Sequence, residues 1–499
     1  MNLITQPTTA ALIALYRYQN YPVRILHALL EDIDGIDPHT IFFKNLYTNA
    51  VRRPSSVEEN LFIELIRELN PDIVGLCVYT PYFSMASRLT KLIKNNSSAV
   101  VVWGGIHPTL YPESCLKDAD ILCLGEGEEA LENLVMSIRD GKDYHRIENL
   151  WTKRNGTVIK NRMRPLTRNL DTIPFPAYAR DSFYFIGSNK MTTDDPTLQD
   201  PILAVLPARG CPFKCSYCVN SLLRPMYKKL GPFCRRRSVQ NVIAEMQSIL
   251  AIPGNKKEIV EFHDENFGTD NSWLDEFEAL YSEKIGLPFK VQYNPRLISG
   301  KMIGRLAKCG LYRVKFGIEA GSDHIRNQVF KRPGKNKELL KLAHEIAKHG
   351  VKIRYDLIVD NPYDTEQTLK ETIALLLKLP KPLRFNLYSL HFFPDYPLTR
   401  EAIKDGFITE AETHFTVLQK TMAASWAYVP KLFPFTKKQM LQNIIWLIVC
   451  GRANERSVKQ ALFNDNTLKS RFNLICLNLK SVFWGKINRV KRRMLKEMV

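Results

Sequence analysis

Arg209-Gly-Cys-Pro-Phe-Lys-Cys-Ser-Tyr-Cys-Val-Asn220 is the stretch on which the reading of this chain turns. Cys211, Cys215 and Cys218 form a C-x3-C-x2-C triplet, with Gly210 and Pro212 shaping a turn around the first thiol. Three thiolates on one short loop hold three corners of a cubane 4Fe–4S cluster and leave the fourth iron open to a small molecule. With ten cysteines in the chain, this spacing is rare by chance. Zinc is the competing ligand: Cys215 and Cys218 make a C-x2-C half-site that Cys234 or His263 would complete. No second C-x2-C closes such a ribbon, and Cys211 would then be superfluous. Unliganded thiols are a third reading. Tyr217 offers a ring to a bound cofactor, and Lys214 and Arg209 bring positive charge towards an anionic cluster.

Outward from the loop, apolar runs alternate with helical periodicity. Ile202–Leu206 delivers the chain to the cysteines, and strand-like runs follow at 259–262, 291–293, 313–318, 353–359 and 384–388. This is a (β/α) barrel pattern, whose active site lies at the carboxyl ends of the strands. Towards the N-terminus, apolar strands at 10–15, 40–43, 72–79, 99–103 and 121–124 alternate with amphipathic segments, including 23–30, 57–69 and 128–139. Such a pattern predicts a doubly wound parallel sheet covered on both faces. Three strand ends carry residues suited to a ligand: Tyr79-Thr80-Pro81-Tyr82, Gly104-Gly105-Ile-His107-Pro108 and Gly125-Glu126-Gly127-Glu128. Each loop alone reads equally well as a tight turn. Residues 146–200 are polar and loop-rich, with two prolines in Ile173-Pro-Phe-Pro-Ala177, and are expected to form a linker.

The cysteine run resembles the cluster loop of the radical S-adenosylmethionine (SAM) superfamily, whose signature is C-x3-C-x-aromatic-C. The resemblance implies an open six-stranded barrel, a 4Fe–4S cluster on Cys211, Cys215 and Cys218, and SAM chelated at the open iron. One electron then cleaves SAM to methionine and a 5′-deoxyadenosyl radical. His263-Asp-Glu-Asn-Phe-Gly268 resembles the family's D-x-x-F segment, which implies that Asp264 or Glu265 takes the SAM ammonium group. Helix capping by Asp264 or Asn266 is the bland alternative. Gly317-Ile-Glu-Ala-Gly-Ser322 resembles the G-I-E-[SA]-G-S segment, implying contacts from Glu319 to the SAM ribose and from Ser322 to the cofactor. Tyr217 is implied beside the cofactor, and Arg296 pairs with a carboxylate or phosphate or else is a surface residue. Asn361 and Asp364 stand where relatives carry Gly and Glu. The three N-terminal loops together resemble the cobalamin-binding domain fused to many radical SAM enzymes, implying that Thr80, Gly104, Gly105, His107, Gly125, Glu126 and Gly127 contact cobalamin. Asp37-Pro-His39 only partly matches the D-x-H-x-x-G of cobalt-ligating domains: it lacks the Gly and is expected to precede the second strand, so His39 is not taken as a cobalt ligand.

The expected architecture is α/β. A doubly wound, Rossmann-like cobalamin-binding domain spans 1–145, a linker 146–200, a partial (β/α)6 radical SAM barrel 201–410 and a helical, basic C-terminal region 411–499. A length of 499 residues suits several domains, and a net charge of +19 points to an anionic partner without choosing it. Residues 1–7 lack the basic-then-apolar pattern of a signal peptide, no apolar run reaches spanning length, and irregular cysteine spacing suits a reducing compartment, so a cytoplasmic location is expected. Thr436–Cys450 reads as a helix with an apolar face. The tail Lys469–Val499 mixes apolar and basic residues and either closes the barrel or lies on an anionic membrane. Nucleic-acid binding is disfavoured, because no interleaved aromatic–basic motif appears. The resemblance implies a small-molecule or lipid-like substrate, an electron donor such as flavodoxin or ferredoxin, and methyl transfer to an unactivated carbon. Cyclisation or rearrangement, a cobalamin-free radical SAM enzyme, and a non-catalytic iron–sulfur sensor or RNA-binding protein are the alternatives.

Overall fold

A computed structural model describes residues 7–45, 53–413, 427–428, 430–431, 436–453, 455–462, 476–477 and 480. The chain divides into two compact units: the main run of the first ends at Gly210, and the second holds Cys211–Ser221 and Glu261–Thr413.

In the first unit, β1 (Thr8–Leu15), β2 (Ile36–Phe43), β3 (Ile73–Cys77), β4 (Val100–Gly104) and β5 (Ile121–Cys123) pair in the order β5-β4-β3-β1-β2. All four pairings are parallel. The strands are apolar on both faces because both are covered. Ala11, Ile13 and Leu15 face one core, and Ala10, Leu12 and Ala14 the other. Local chemistry sets the helices between them. Asn20 caps Tyr21–Glu31, and a Ser55–Glu58 capping box opens Ser56–Leu69. Strand order reverses at β1, which places a ligand crevice at the carboxyl ends of β1 and β3. Asp37-Pro-His39 lies inside β2, not before it, and His39 Nε2 sits 3.0 Å from Asp37 Oδ2.

The sheet is wider and less uniform than the sequence implies. Four strands occupy the stretch expected to be a linker: β6 (Leu150–Arg154), β7 (Thr157–Lys160), β8 (Phe183–Gly187) and β9 (Lys190–Thr192). β6 pairs antiparallel with β5 and with β7, while β8 runs parallel to β2 and antiparallel to β9. Both hairpins turn through two residues at positive φ, Asn155 (48°) with Gly156 (79°) and Ser188 (50°) with Asn189 (61°). That is the two-residue hairpin geometry whose twist matches the strands. The Asn-Gly pair was its visible signal, hidden among polar neighbours.

β10 (Ile202–Val205) leads to the short antiparallel pair β11 (Ala208–Arg209) and β12 (Arg235–Arg236). β13 (Ile259–Phe262), β14 (Phe289–Tyr293), β15 (Leu311–Glu319), β16 (Lys352–Ile358) and β17 (Phe385–Tyr388) follow. The second sheet takes these in chain order, β10-β13-β14-β15-β16-β17, as an open (β/α)6 barrel requires. On β15 and β16, Val314, Phe316, Ile318, Ile353, Tyr355 and Leu357 are buried under helices. Lys315, Glu319, Arg354 and Asp356 alternate with them on the inner face.

The expected C-terminal helix is present as Lys437–Val449, with Leu441, Ile444, Ile445 and Leu447 buried. Its Gln442 donates to Val359 O at 3.1 Å, and its Asn443 holds both the N–H and the carbonyl of Lys431. Ala427 bridges Tyr388 on β17. The tail reading over Lys469–Val499 lies outside the described residues apart from 476–477 and 480. No described helix is long and apolar enough to cross a membrane.

One buried ion pair ties the segment after β9 to the first sheet. Arg24 and Asp195 are both fully buried and meet at 2.7 Å. Arg24 also donates to the carbonyls of Tyr18 and Ala177 and lies over the Phe42 and Tyr178 rings. Asp195→Ala leaves a guanidinium buried without its counter-charge, which costs roughly 3–5 kcal/mol. The expected result is a large fall in the denaturant midpoint; a shift no greater than that of a surface Asp-to-Ala change, such as Asp34→Ala, would contradict this role for the pair.

Candidate functional site

The cysteine loop is pinned by its backbone. Cys218 N–H donates to Cys215 O and Ser221 N–H to Cys218 O, each at 3.0 Å. Ser216 N–H donates to Phe330 O at 2.9 Å, its hydroxyl to Val329 O at 2.7 Å, and its own carbonyl accepts from Leu398 N–H at 3.1 Å. Two donors aim at the thiols: Asn266 Nδ2 is 3.5 Å from Cys211 Sγ and Arg332 Nη1 is 3.7 Å from Cys215 Sγ. Burial pushes the Cys218 thiol up to about 12. Such thiols become ligands only where positive charge or bound iron stabilises the thiolate. Arg332 brings positive charge to Cys215, while the Arg209 guanidinium is held by Glu126 and Glu128. Among the described residues no three His, Cys, Asp or Glu side chains converge as ligands of one metal ion do. A tetrahedral zinc site needs that convergence. Three thiols on one loop, each able to bind a separate iron, are the donor set that a cubane cluster takes.

Around the loop, the barrel strand ends supply polar groups. Tyr217 packs edge-on against Phe330 at 5.0 Å and hydrogen-bonds to the Glu319 carboxylate. Glu319 has φ +63°, a conformation that side-chain-bearing residues adopt at a cost and that recurs at functional sites. Its carboxylate folds back over Gly317, where an added Cβ would overlap Oε1. A side chain at Gly317 would therefore need the Glu319 carboxylate to move. Burial raises the Glu319 carboxyl to about 7 against the opposing pull of Arg332. Asp264 is buried, and Glu265 accepts from Asn220 Nδ2 at 3.3 Å. Ser322 is fully buried, and among the described residues its Oγ has no hydrogen-bond partner; Asn294 Nδ2 and Asn361 Nδ2 are in the same state. Buried polar groups left unmatched at adjoining strand ends fit a polar cofactor. Arg296 is exposed and lines a cavity of about 270 Å³ with Asn294, Gly317, Arg332 and Lys335.

In the first unit, a cavity of about 340 Å³ lies on the β1–β3–β4–β5 face. Leu12, Gly75, Cys77, Val102 and Cys123 floor it, and Gly104, Gly105, Gly125 and Gly127 rim it. Four glycines leave backbone bare to a ligand. Gly105 has φ +100°, and a Cβ there would come within 3.0 Å of Val78 O. This glycine-rimmed, largely apolar crevice fits a large planar cofactor or its arm. Two predicted contacts lie elsewhere: His107 is fully buried against Phe83 and Tyr111, with Nδ1 3.3 Å from Thr80 Oγ1. Burial lowers the His107 pKa to about 3, so the ring is neutral. Glu126 lines the cavity, but its carboxylate is engaged by Arg235 and Arg209 at 2.8 and 2.9 Å and by Thr167 N–H. Burial raises its pKa, yet Arg235 and Arg209 outweigh this and hold it lowered. Arg209 also pairs with Glu128. Arg235 and Arg332 carried no motif, only the look of surface charge in Arg235-Arg236-Arg237 and Lys331-Arg332.

Gly210 has φ +91°, and a Cβ there would stand 2.1 Å from Phe233 O. Gly210→Ala must displace the backbone beside the first thiol. Purified under iron-replete anaerobic conditions, it is expected to carry much less iron and sulfide than Gly254→Ala, whose φ is also positive but whose surroundings are open.

The B12 binding domain family matches residues 14–135, and the radical SAM superfamily matches 205–376. The chain is 29% identical over 344 residues to an uncharacterized methyltransferase, PH0819, of Pyrococcus horikoshii, covering 68% of this chain and 70% of that one. It is 27% identical over 341 residues to the anaerobic magnesium-protoporphyrin IX monomethyl ester cyclase of Rubrivivax gelatinosus, covering 64% and 57%. The solved structure of the cobalamin-dependent SAM radical enzyme OxsB superposes with a TM-score of 0.68 at 15% identity, covering 99% of this chain and 82% of that one, a likeness of fold.

Proposed function

We propose, because this chain belongs to the radical SAM enzymes that carry a fused B12-binding domain, that it transfers a methyl group to an unactivated carbon of a small molecule. When bound, the cluster supplies one electron to SAM, and cobalamin supplies a methyl carrier. The observation that carries the reading is the cysteine loop clamped by Ser216 beneath Arg332 and beside the Tyr217–Glu319 pair.

Each residue has a stated task. Cys211, Cys215 and Cys218 ligate three irons. Asp264 and Glu265 take the SAM ammonium by charge-assisted hydrogen bonds. Glu319, fixed over Gly317, accepts from the ribose hydroxyls, and Ser322 Oγ is a further polar contact. Arg296 takes an anionic group at the rim of its own cavity. Gly104, Gly105, Gly125 and Gly127 let the backbone approach cobalamin. Glu126 acts through Arg209 and Arg235 to hold the Gly125–Glu128 loop. Thr80 and His107 brace the loop after β3 from behind. The domain limits of 145, 200 and 410 fit these tasks only if 146–200 is counted with the sheet its strands join. An external one-electron donor, a flavodoxin or ferredoxin, completes the scheme.

The similarity to a cyclase favours one second reading, ring closure without methyl transfer. Anaerobic reconstitution with iron, sulfide and cobalamin is expected to give about four irons and one corrinoid per chain. Dithionite with trideuteromethyl-SAM is expected to release 5′-deoxyadenosine. In a cell extract of the host the label is expected in a product; label confined to SAM and methionine would favour cyclisation. Cys215→Ala and Cys218→Ala are each expected to lose the iron signal and 5′-deoxyadenosine together, with corrinoid retained. A Cys218→Ala protein that still cleaves SAM at the wild-type rate would overturn the assignment.

A further inference from the structure

The inner face of β15–β17 carries charge that the scheme above does not use. Lys315 Nζ lies 3.1 Å from Asp356 Oδ2. Asn386 Nδ2 donates to Asp356 Oδ1 at 2.7 Å, and Arg354 Nη1 reaches Asn386 Oδ1 at a long 3.4 Å. Strand register sets these side by side: Lys315 opposite Arg354, and Asp356 opposite Asn386. Arg313 stands two residues before Lys315 and shares its strand face. Three cations thus share this stretch of the face with Asp356, which touches Lys315 alone among them. Glu319, further along β15, also acts on Lys315, and it faces Tyr217 and Arg332, the latter 3.9 Å away. Lys290 and Glu261 on the neighbouring strands balance each other at 3.2 Å.

The excess is matched by missing acceptors. Among the described residues, Arg354 Nε and Arg313 Nε are buried with no hydrogen-bond partner. An arginine fork with a dry, unmatched N–H is built for a planar or tetrahedral oxyanion, which takes two parallel bonds at once. A neutral hydrocarbon chain against this face would leave the same donors unsatisfied.

We propose that this face recognises the substrate, and that it takes an anionic oxygen group, a carboxylate or a phosphoryl, in a two-bond pair with Arg354. Lys315, neutralised by Asp356, shapes the charge beside it, and Asn386 orients the Arg354 guanidinium. This assignment rests on the radical SAM reading of the barrel, and it makes the substrate a small acid in place of a neutral lipid.

The test uses reconstituted holoenzyme loaded with SAM, so that the methionine carboxylate of SAM already fills its own site. Equilibrium dialysis with inorganic phosphate and with acetate measures binding in wild type, Arg354→Gln and Asp356→Asn. One saturable site is expected in the wild type for at least one anion, and the tighter anion names the group. Arg354→Gln is expected to weaken it at least tenfold. Asp356→Asn, which removes the competing carboxylate, is expected to tighten it several-fold, a sign that a purely structural role would not produce. Should Arg354→Gln misfold by circular dichroism, Arg354→Lys and Asp356→Asn carry the test. No saturable anion binding in the wild type, binding abolished by SAM, or equal affinity in Arg354→Gln would each overturn the site. Dithionite-driven SAM cleavage by the wild type is scored separately, so failure of the radical reading shows there and not in the dialysis.

Discussion

Ser216 is one small residue on which the placement of three thiols depends. Its N–H, hydroxyl and carbonyl are all committed, two to the Val329–Phe330 turn and one to the helix that starts at Pro397. That turn is in turn set by Arg326, a buried guanidinium that donates to the carbonyls of Ile318, Ala320 and Gly334 and pairs with Asp323. A line of hydrogen bonds thus runs from the end of β15 through Arg326 to the turn and on to the cysteine loop. The Ser216 and Arg326 side chains on it are buried, so their bonds are worth more than at the surface and cost more when broken. The Gly317–Glu319 geometry lies at the start of the same line. The site is rigid because the strand end, the turn and the loop share partners.

The first unit solves its problem by subtraction. Along the crevice at the strand ends, side chains are absent at Gly104, Gly105, Gly125 and Gly127, which leaves the backbone bare. The Gly125–Glu128 loop then needs support from elsewhere, and Glu126 with two arginines provides it. A carboxylate flanked by two guanidiniums in a half-buried site is a better anchor than a surface pair, because the Coulomb attraction is less screened.

Much of this was legible in the sequence, for identifiable reasons. Strands β1 to β5 announced themselves by near-continuous apolar runs, and β13 to β17 by apolar residues alternating with polar ones that face the barrel interior. The helix from Glu128 to Arg139 was legible from its periodicity. The cysteine spacing and the Gly-Ile-Glu segment were legible because their chemistry is local. The strands β6 to β9 were not: β7 and β9 are edge strands that read as polar loop, β8 is a 5-residue apolar run set in a polar stretch, and only Asn155-Gly156 marked a turn. The true setting of Glu126 was hidden as well. Its loop looks like a ligand-binding loop, and the partners that occupy it, Arg209 and Arg235, lie 83 and 109 residues away. His107 likewise sat in a convincing loop while its ring pointed into the core. Long-range pairing of this kind leaves no periodic trace.

The bridge from Ala427 to Tyr388 bears on how the protein is made. β17 ends the open barrel, and an open barrel has a bare strand edge that invites pairing with another chain. The segment that covers it comes late in the sequence, and the helix that braces that segment, Lys437–Val449, comes later still. A chain under synthesis therefore leaves that edge uncovered after β17 has emerged, until residues 427–449 follow it. During that interval the nascent barrel is exposed to self-association, and chaperone supply and translation speed become determinants of how much active protein a cell obtains.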